Sequence, residues 1–526
     1  MLEYQNLIFE QNLSRIELLN YKYKSENIKK IAVYRNHSFE LVENTIALYL
    51  DYAGIKGDFK YSDYDDSMSF LNLDLSADMI ILWLDITRYN DKSIENFICE
   101  RIQYLASIYD KQILFVPFGE KIIINEKNII TFDLSDIESC LQTKFTDERM
   151  EKFSGTKLSS KALLMISEEL GLKYIPACLL TPLKAVITDL DNTLYKGVLG
   201  EDGYEGIILT EGHKKLQKQL VKLSQQGFFI CIASKNEEKD VEKLFLKRKD
   251  FPLKQGNITK FCVSWDSKAK SVEELKQYLN INEKDMLFID DNIGEICSVK
   301  EQFPDINVIL AKEDGDLTFK ILSNHPRMTK LNINYEDLIR KQDIQQNEKR
   351  KHLQETLSAQ EFLKTLKIEL TYSLNNKNQI KRLSELANKT NQFICSYKRY
   401  TEQEMEKLMT EKDYLAVAVS LKDKLSDSGI IGGFIFKNNM EFIETEEAFI
   451  SCRALGRGID SDIVMYSLEL ATEYFNNNKL RFNFIKGERN TPAELFLDTY
   501  LKKYKNKTSV YNKKIQNDFI KINVER

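Results

Sequence analysis

The sequence predicts an α/β chain of three domains, and three observations carry that expectation. At 526 residues the chain has room for about three units of ordinary size. Short apolar runs rich in branched residues alternate with longer stretches in which leucines recur at helical spacing, the pattern of parallel sheets covered by helices. The run Leu183 to Ile187 stops on two carboxylates one residue apart, Asp189 and Asp191. Charge is thereby delivered to the carboxyl edge of a buried strand, where open α/β sheets bind ligands.

Taken in order, residues 1–154 read as a small α/β domain. Lys30 to Tyr34 is a strand, Phe39 to Tyr52 a helix and Met79 to Leu84 a buried strand, followed by a helix over Ile94 to Tyr109 and a strand over Ile113 to Pro117. Ser38 directly follows the first strand, where an esterase-like fold would hold a nucleophile. No Asp-x-x-His pair supports that chemistry, so a polar helix N-cap is the preferred reading. The domain is expected to be non-catalytic, of SGNH-like or flavodoxin-like topology.

Residues 155–330 form the second domain. A helix-like approach precedes the strand at Leu183, and Leu216, Leu220 and Leu223 mark an amphipathic helix closed by Gly227. Phe228 to Ala233 is a strand ending at Ser234, Lys268 heads a helix, and Met286 to Ile289 is a strand ending on Asp290-Asp291. The short stretch between Ser234 and Lys268 holds little more than a helix and a strand, so the site has no substantial lid of its own. Residues 331–360, dense in Glu, Gln, Lys and Arg, read as an exposed helical connector.

Residues 361–526 return to an α/β pattern. Ile380 to Lys389 is helical, and Tyr414 to Leu421, Ile430 to Phe436 and Glu441 to Ile450 are strands. A glycine-containing loop leads into a helix over Asp460 to Phe475, and a strand over Leu480 to Ile485 precedes a last helix opened by Asn490-Thr-Pro-Ala493.

Composition narrows the function. A net charge of −5 supplies no basic field for nucleic acid. Eight scattered Cys without a Cys-x-x-Cys pair, and only four His, argue against structural zinc and against a disulfide framework. The N-terminal stretch lacks the basic start and apolar core of a signal peptide, and no apolar run is long enough to span a bilayer. A soluble, cytoplasmic protein without membrane partners is expected.

Two carboxylates in one cleft repel unless a cation or a proton intervenes, and Mg2+ takes oxygen ligands while leaving positions for phosphate. The order Asp189-x-Asp191-x-Thr193, Ser234 at a strand end, Lys268, then Asp290-Asp291 resembles the haloacid-dehalogenase (HAD) phosphohydrolase superfamily. That resemblance implies a central Rossmann-like domain and a defined division of labour. Asp189 is the nucleophile and Asp191 the general acid and base. Ser234 and Lys268 hold the phosphoryl group, and Mg2+ lies among Asp189, Asp191 (through its carbonyl), Asp290 and Asp291. Asp291 is favoured as ligand over Asp290 because Glu295 lies four residues beyond it.

In the third domain Arg453-x-x-Gly456-x-Gly458 between a strand and a helix resembles the pyrophosphate loop of GNAT-type acyltransferases, and Asn490-x-x-Ala493 resembles that family's later motif. An α+β acyltransferase-like unit binding CoA or a phosphopantetheine arm through Arg453, Gly456, Gly458 and Asn490 is therefore expected. Cys452, beside Arg453 and a helix N-terminus, is the candidate thiol nucleophile.

Read together, Asp189 to Gly203, Ser234-Lys-Asn236, Trp265-Asp-Ser-Lys268, Ile289-Asp-Asp-Asn292, Asn388 to Phe393, Ser426-Asp-Ser-Gly429 and Ser451 to Arg457 resemble the FkbH-like proteins of HAD subfamily IIIC. The resemblance implies loading of a glyceryl unit from 1,3-bisphosphoglycerate onto an acyl carrier protein. The alternative is a small-molecule or sugar-phosphate phosphatase with a GNAT-type domain in polysaccharide or secondary-metabolite biosynthesis.

Overall fold

The computed structural model describes residues 2–11, 13–89, 94–122, 124, 126, 128–331, 343–344, 346, 350, 353–354, 356–451, 454–455, 457–487, 490–512 and 519–526. Two compact units divide the chain, Met1–Ile333 and Asn334–Arg526. Most of the expected connector, together with Cys452, Arg453 and Gly456, lies outside the described residues.

The first unit contains two five-stranded sheets, each parallel throughout. The first is built from β1 (Ile28–Arg35), β2 (Lys56–Tyr61), β3 (Met79–Asp85), β4 (Ile113–Phe118) and β5 (Ile129–Thr131), in the order β2-β1-β3-β4-β5. That is the flavodoxin-like order, whose reversal of direction falls between β1 and β3. Every residue of β3 is buried, because helices cover both faces of a parallel sheet. Trp83 and Phe39 pack on one face, Leu82 and Phe115 on the other.

The second sheet comprises β6 (Ala185–Thr188), β7 (Phe229–Ser234), β8 (Lys260–Val263), β9 (Met286–Asp290) and β10 (Asn307–Leu310), ordered β10-β9-β6-β7-β8. Central β6 lies between β7 and β9, with Thr188 opposite both Ile232 and Ile289. This register brings the ends of three strands level, so Asp189, Ser234 and Asp290 emerge side by side. The helices Glu211–Gln225 and Lys268–Leu279 start on capping hydroxyls, Thr210 and Ser267, that accept backbone N–H bonds. The extreme N-terminus is tied to this sheet: the Gln5 amide exchanges two hydrogen bonds with the Leu310 backbone, and Glu10 pairs with Lys312 at 2.8 Å.

The second unit holds one mixed sheet of eight strands. Strands β11 (Glu369–Leu374), β13 (Tyr414–Lys422), β14 (Asp427–Asn438) and β15 (Ile443–Ile450) pair antiparallel in sequence. Parallel neighbours close the two sides, β16 (Lys479–Phe482) on β15 and β18 (Lys521–Glu525) on β11. Two short strands complete it, β12 (Phe393–Ile394) on β15 and β17 (Ser509–Val510) on β16. Helices Ile380–Lys389 and Glu402–Thr410 cover one face through Leu383, Leu386 and Met405, and helix Asp460–Phe475 covers the other through Ile463 and Leu468. Among the described residues no helix is long and apolar enough to cross a membrane.

Candidate active site

The carboxyl edge of the second sheet gathers the charged residues. Asp189, Asp290 and Asp291 bring one carboxylate oxygen each within 4.8 Å of one another. The Lys268 ammonium, almost wholly buried, sits 2.8 Å from Asp189 Oδ2 and 2.6 Å from Asp290 Oδ2. A backbone N–H, that of Asn292, donates to the other Asp290 oxygen at 2.9 Å. Burial pushes the Asp189 carboxyl up to about 6, against the pull of Lys268 and with the help of Asp290. Burial likewise raises Asp290 and Asp291. Although burial opposes it, Asp189 and Asp290 hold the Lys268 ammonium above its usual range. Three carboxylates thus face one ammonium, a donor set of hard oxygens with an unbalanced charge of the size a divalent cation would neutralise.

Asp191 is set apart from this group. Its Oδ1 accepts from the Tyr195 hydroxyl at 2.6 Å and from the Leu199 N–H at 2.9 Å, and its Oδ2 from Asn236 Nδ2 at 2.9 Å. The same Asn236 amide reaches Ser234 Oγ at 3.1 Å. Three donors therefore fix the direction of one carboxyl, and one of them joins it to the hydroxyl on the next strand. Asn236 and Tyr195 belong to the motifs read from the sequence, but their role was not legible there because it depends on how two loops meet.

The loop that carries Asp189 and Asp191 explains its own composition. Asn192 adopts the left-handed region at φ 51°, which Asn tolerates, and its Oδ1 accepts the Gly197 N–H at 3.0 Å. Gly197 lies at φ 116°, and a Cβ there would stand 2.7 Å from the Asp202 carboxylate that accepts the Val198 N–H. An antiparallel bridge between Lys196 and Ile208 then closes a small flap.

Glu295 is not part of the three-carboxylate group. It pairs with Lys235 at 2.5 Å, so its four-residue spacing from Asp291 serves an ion pair beside the site. Ser38 is not the expected helix cap either. Helix Glu40–Tyr52 begins after Phe39 without a side-chain cap, and the Ser38 hydroxyl donates to Glu40 Oε2 at 2.6 Å. The edge of the first sheet is filled by the chain itself. Gly155 accepts the Ser38 N–H, Thr156 Oγ1 lies 3.0 Å from His37 Nδ1, and Lys157 donates to Thr87 Oγ1.

In the second unit Gly458 sits at φ 73° with open space beside it. Asn490 is fully buried and bonds its own chain, donating to the Ile394 and Ile485 carbonyls and accepting the Gly487 N–H. Between β15 and the continuation of β16 lies β12. Cys395 N donates to the Ala448 carbonyl at 3.1 Å, and the Cys395 carbonyl accepts the Ile485 N–H at 2.8 Å. Buried Glu447 fastens the segment by accepting the N–H groups of Cys395, Ser396 and Lys398. Arg457 donates to Asp343, Asp423 and Ser428 in a buried network that Arg350 also joins, so this motif arginine is committed within the unit.

No family profile matches the sequence, and no curated protein matches it. Among solved structures, the N-terminal part of a Bacteroides fragilis protein containing a phosphatase domain complexed with Mg is similar at 20% identity. It covers 63% of this chain and 99% of its own, with a TM-score of 0.46. A putative HAD-superfamily (subfamily III A) hydrolase from Legionella pneumophila is similar at 17% identity, covering 37% of this chain and 94% of its own, with a TM-score of 0.20. A GCN5-related glucosamine N-acetyltransferase region of a fungal multi-domain β-N-acetylglucosaminidase is similar at 9% identity over 95% of this chain and 66% of its own, with a TM-score of 0.20.

Proposed function

We propose that the chain is an Mg2+-dependent phosphohydrolase of HAD type, acting on a phosphorylated small molecule through an aspartyl-phosphate at Asp189. The observation that supports this most directly is the buried Lys268 bridging Asp189 and Asp290, with Asp291 completing the acidic group. Asp189, Asp290 and Asp291, with the Asp191 carbonyl, would hold the cation, which when bound offsets the negative charge of carboxylates and phosphate together. Asp189 attacks phosphorus as the bond to the leaving oxygen breaks, and Asp191 gives that oxygen its proton. Water then attacks the phosphorus, the bond to Asp189 breaks, and Asp191 takes the proton of the water. Tyr195, Leu199 and Asn236 keep the Asp191 carboxyl aimed through both steps. Ser234 and Lys268 steady the phosphoryl oxygens.

The test is phosphate release from acetyl phosphate with and without Mg2+. Asp189→Asn is expected to abolish it, and Mg2+-dependent turnover persisting in that variant would overturn the assignment. Glyceryl transfer from 1,3-bisphosphoglycerate to an acyl carrier protein is the finer reading, supported by the resemblance of the motifs. It would have a thiol, with Cys452 the candidate, take the glyceryl group as phosphate leaves. Intact-protein mass spectrometry decides it: a glyceryl adduct that moves to the carrier, and is lost in Cys452→Ala, is the expected result. Phosphate release without any adduct would leave the phosphatase alone.

A further inference from the structure

The chain has two tryptophans in opposite situations. Trp83 is 0% exposed in the first sheet, whereas Trp265 is 68% exposed at the carboxyl edge of the second. Exposure of a single ring decides nothing by itself; what distinguishes Trp265 is how it is held. Its indole Nε1 donates to Glu237 Oε1 at 2.8 Å, and the preceding residue, Ser264, donates its N–H to the Ser234 carbonyl at 3.2 Å. Glu237 in turn adjoins Asn236, the residue that links Asp191 to Ser234. Three residues after Trp265 comes Lys268. The ring is thus tethered from both loops that follow β7 and β8, on the Asp191 flank of the phosphoryl site, where the leaving group departs. Ile293, 49% exposed, is the first residue of helix Ile293–Gln302 after β9, at the same carboxyl edge but across β6 from Trp265.

From this placement we infer that Trp265 is a specificity residue that takes the organic part of the substrate against its indole face. The substrate class is a phosphomonoester or acyl phosphate whose leaving group presents a flat apolar face, which a phosphoglyceryl group does not, so the inference goes with the phosphatase reading and not with glyceryl transfer. The inference rests on the phosphohydrolase reading, since that reading defines the leaving-group side. A bonded indole suits this task because the Nε1–H bond to exposed Glu237 narrows its rotamers before the ligand arrives, so less side-chain freedom is lost on stacking. Glu237 is a positioning residue that acts through the indole N–H.

The test compares an aryl with a methyl ligand on the full chain with Mg2+. In turnover, the ratio of kcat/KM for 4-nitrophenyl phosphate over acetyl phosphate is expected to fall about tenfold in Trp265→Ala and to be restored only in part in Trp265→Phe, which keeps an aromatic face but lacks the N–H that Glu237 holds. In binding, Asp189→Asn is titrated with phenylphosphonate and methylphosphonate. A preference for the phenyl ligand that disappears when Trp265→Ala is added supports the inference whether or not the parent chain turns either substrate over. Equal affinities in the parent, or a preference that survives the loss of Trp265, would overturn it. Absence of turnover together with an intact phenyl preference would strike the Asp189 chemistry and leave the platform standing.

Discussion

Lys268 is the residue on which the charge balance of the site turns, because its ammonium is the positive group bonded to two of the three acids. Lys268→Met is expected to lower kcat by roughly 10²–10³-fold, the usual loss when one preorganised charge partner of a transition state is removed; a steady-state assay at saturating Mg2+ checks it. Asp191 is expected to act twice, so Asp191→Asn should trap the enzyme between the two steps. With acetyl phosphate, whose leaving group needs little help, a phosphoryl adduct should accumulate and be seen by mass spectrometry after acid quench. Histidines set a different limit. Burial pushes both His37 and His325 down to about 3, so each is neutral in the folded chain at neutral pH. An unfolded His takes up its proton below roughly pH 6.5, so the stability these residues contribute falls as pH drops from there toward 3. The urea midpoint should be lower at pH 5 than at pH 7, and His325→Gln should flatten that difference.

At the scale of elements, the strands that deliver the acids were legible because burial on both faces leaves an uninterrupted apolar run, as in β6, β7 and β9. Edge strands lack that signal. β2 reads Lys-Gly-Asp-Phe-Lys-Tyr with a single buried residue, so it did not stand out. β12 has only two residues, and its place between β15 and Ile485 follows from tertiary pairing that no local pattern records. The candidate site was legible as a set of residue types at strand ends. The separate role of Asp191 was legible too, but the donors that aim its carboxyl were not, since the bonds from Tyr195 and Asn236 depend on how two loops meet. Glu447, an acid inside a strand, was not singled out in the sequence and is an anchor in the structure. Glu447→Ala leaves the N–H groups of Ser396 and Lys398 without their acceptor, while Cys395 keeps its bond to the Ala448 carbonyl. It should destabilise the second unit by about 2–3 kcal/mol, measured as a shift in its urea unfolding.

At the scale of the molecule, the sheets divide by what occupies their edges. Gly155 to Lys157 fills the reversal point of the first sheet, and Phe393 to Cys395 fills the gap beside β15 in the third. The second sheet instead leaves Trp265 and Ile293 exposed beside its acids. Every residue assigned to the phosphoryl site belongs to Met1–Ile333. A chain ending at Ile333 is therefore expected to keep the Mg2+-dependent phosphate release of the full protein. Loss of that activity in a soluble, folded fragment would show that the second unit contributes to the chemistry.

The insertion of β12 also dictates an order of events during synthesis. Once Ile450 has emerged, Phe393 and Ile394 already have their partner strand, but the Cys395 carbonyl must wait for Ile485, which is 35 residues further along (485 − 450), a few seconds of synthesis at about 5–20 residues per second. Until then the half-built sheet offers an unpaired edge to any neighbouring chain. Crowded ribosomes on one message would expose such edges to one another, so the yield of this unit should depend on translation rate more than on its final stability.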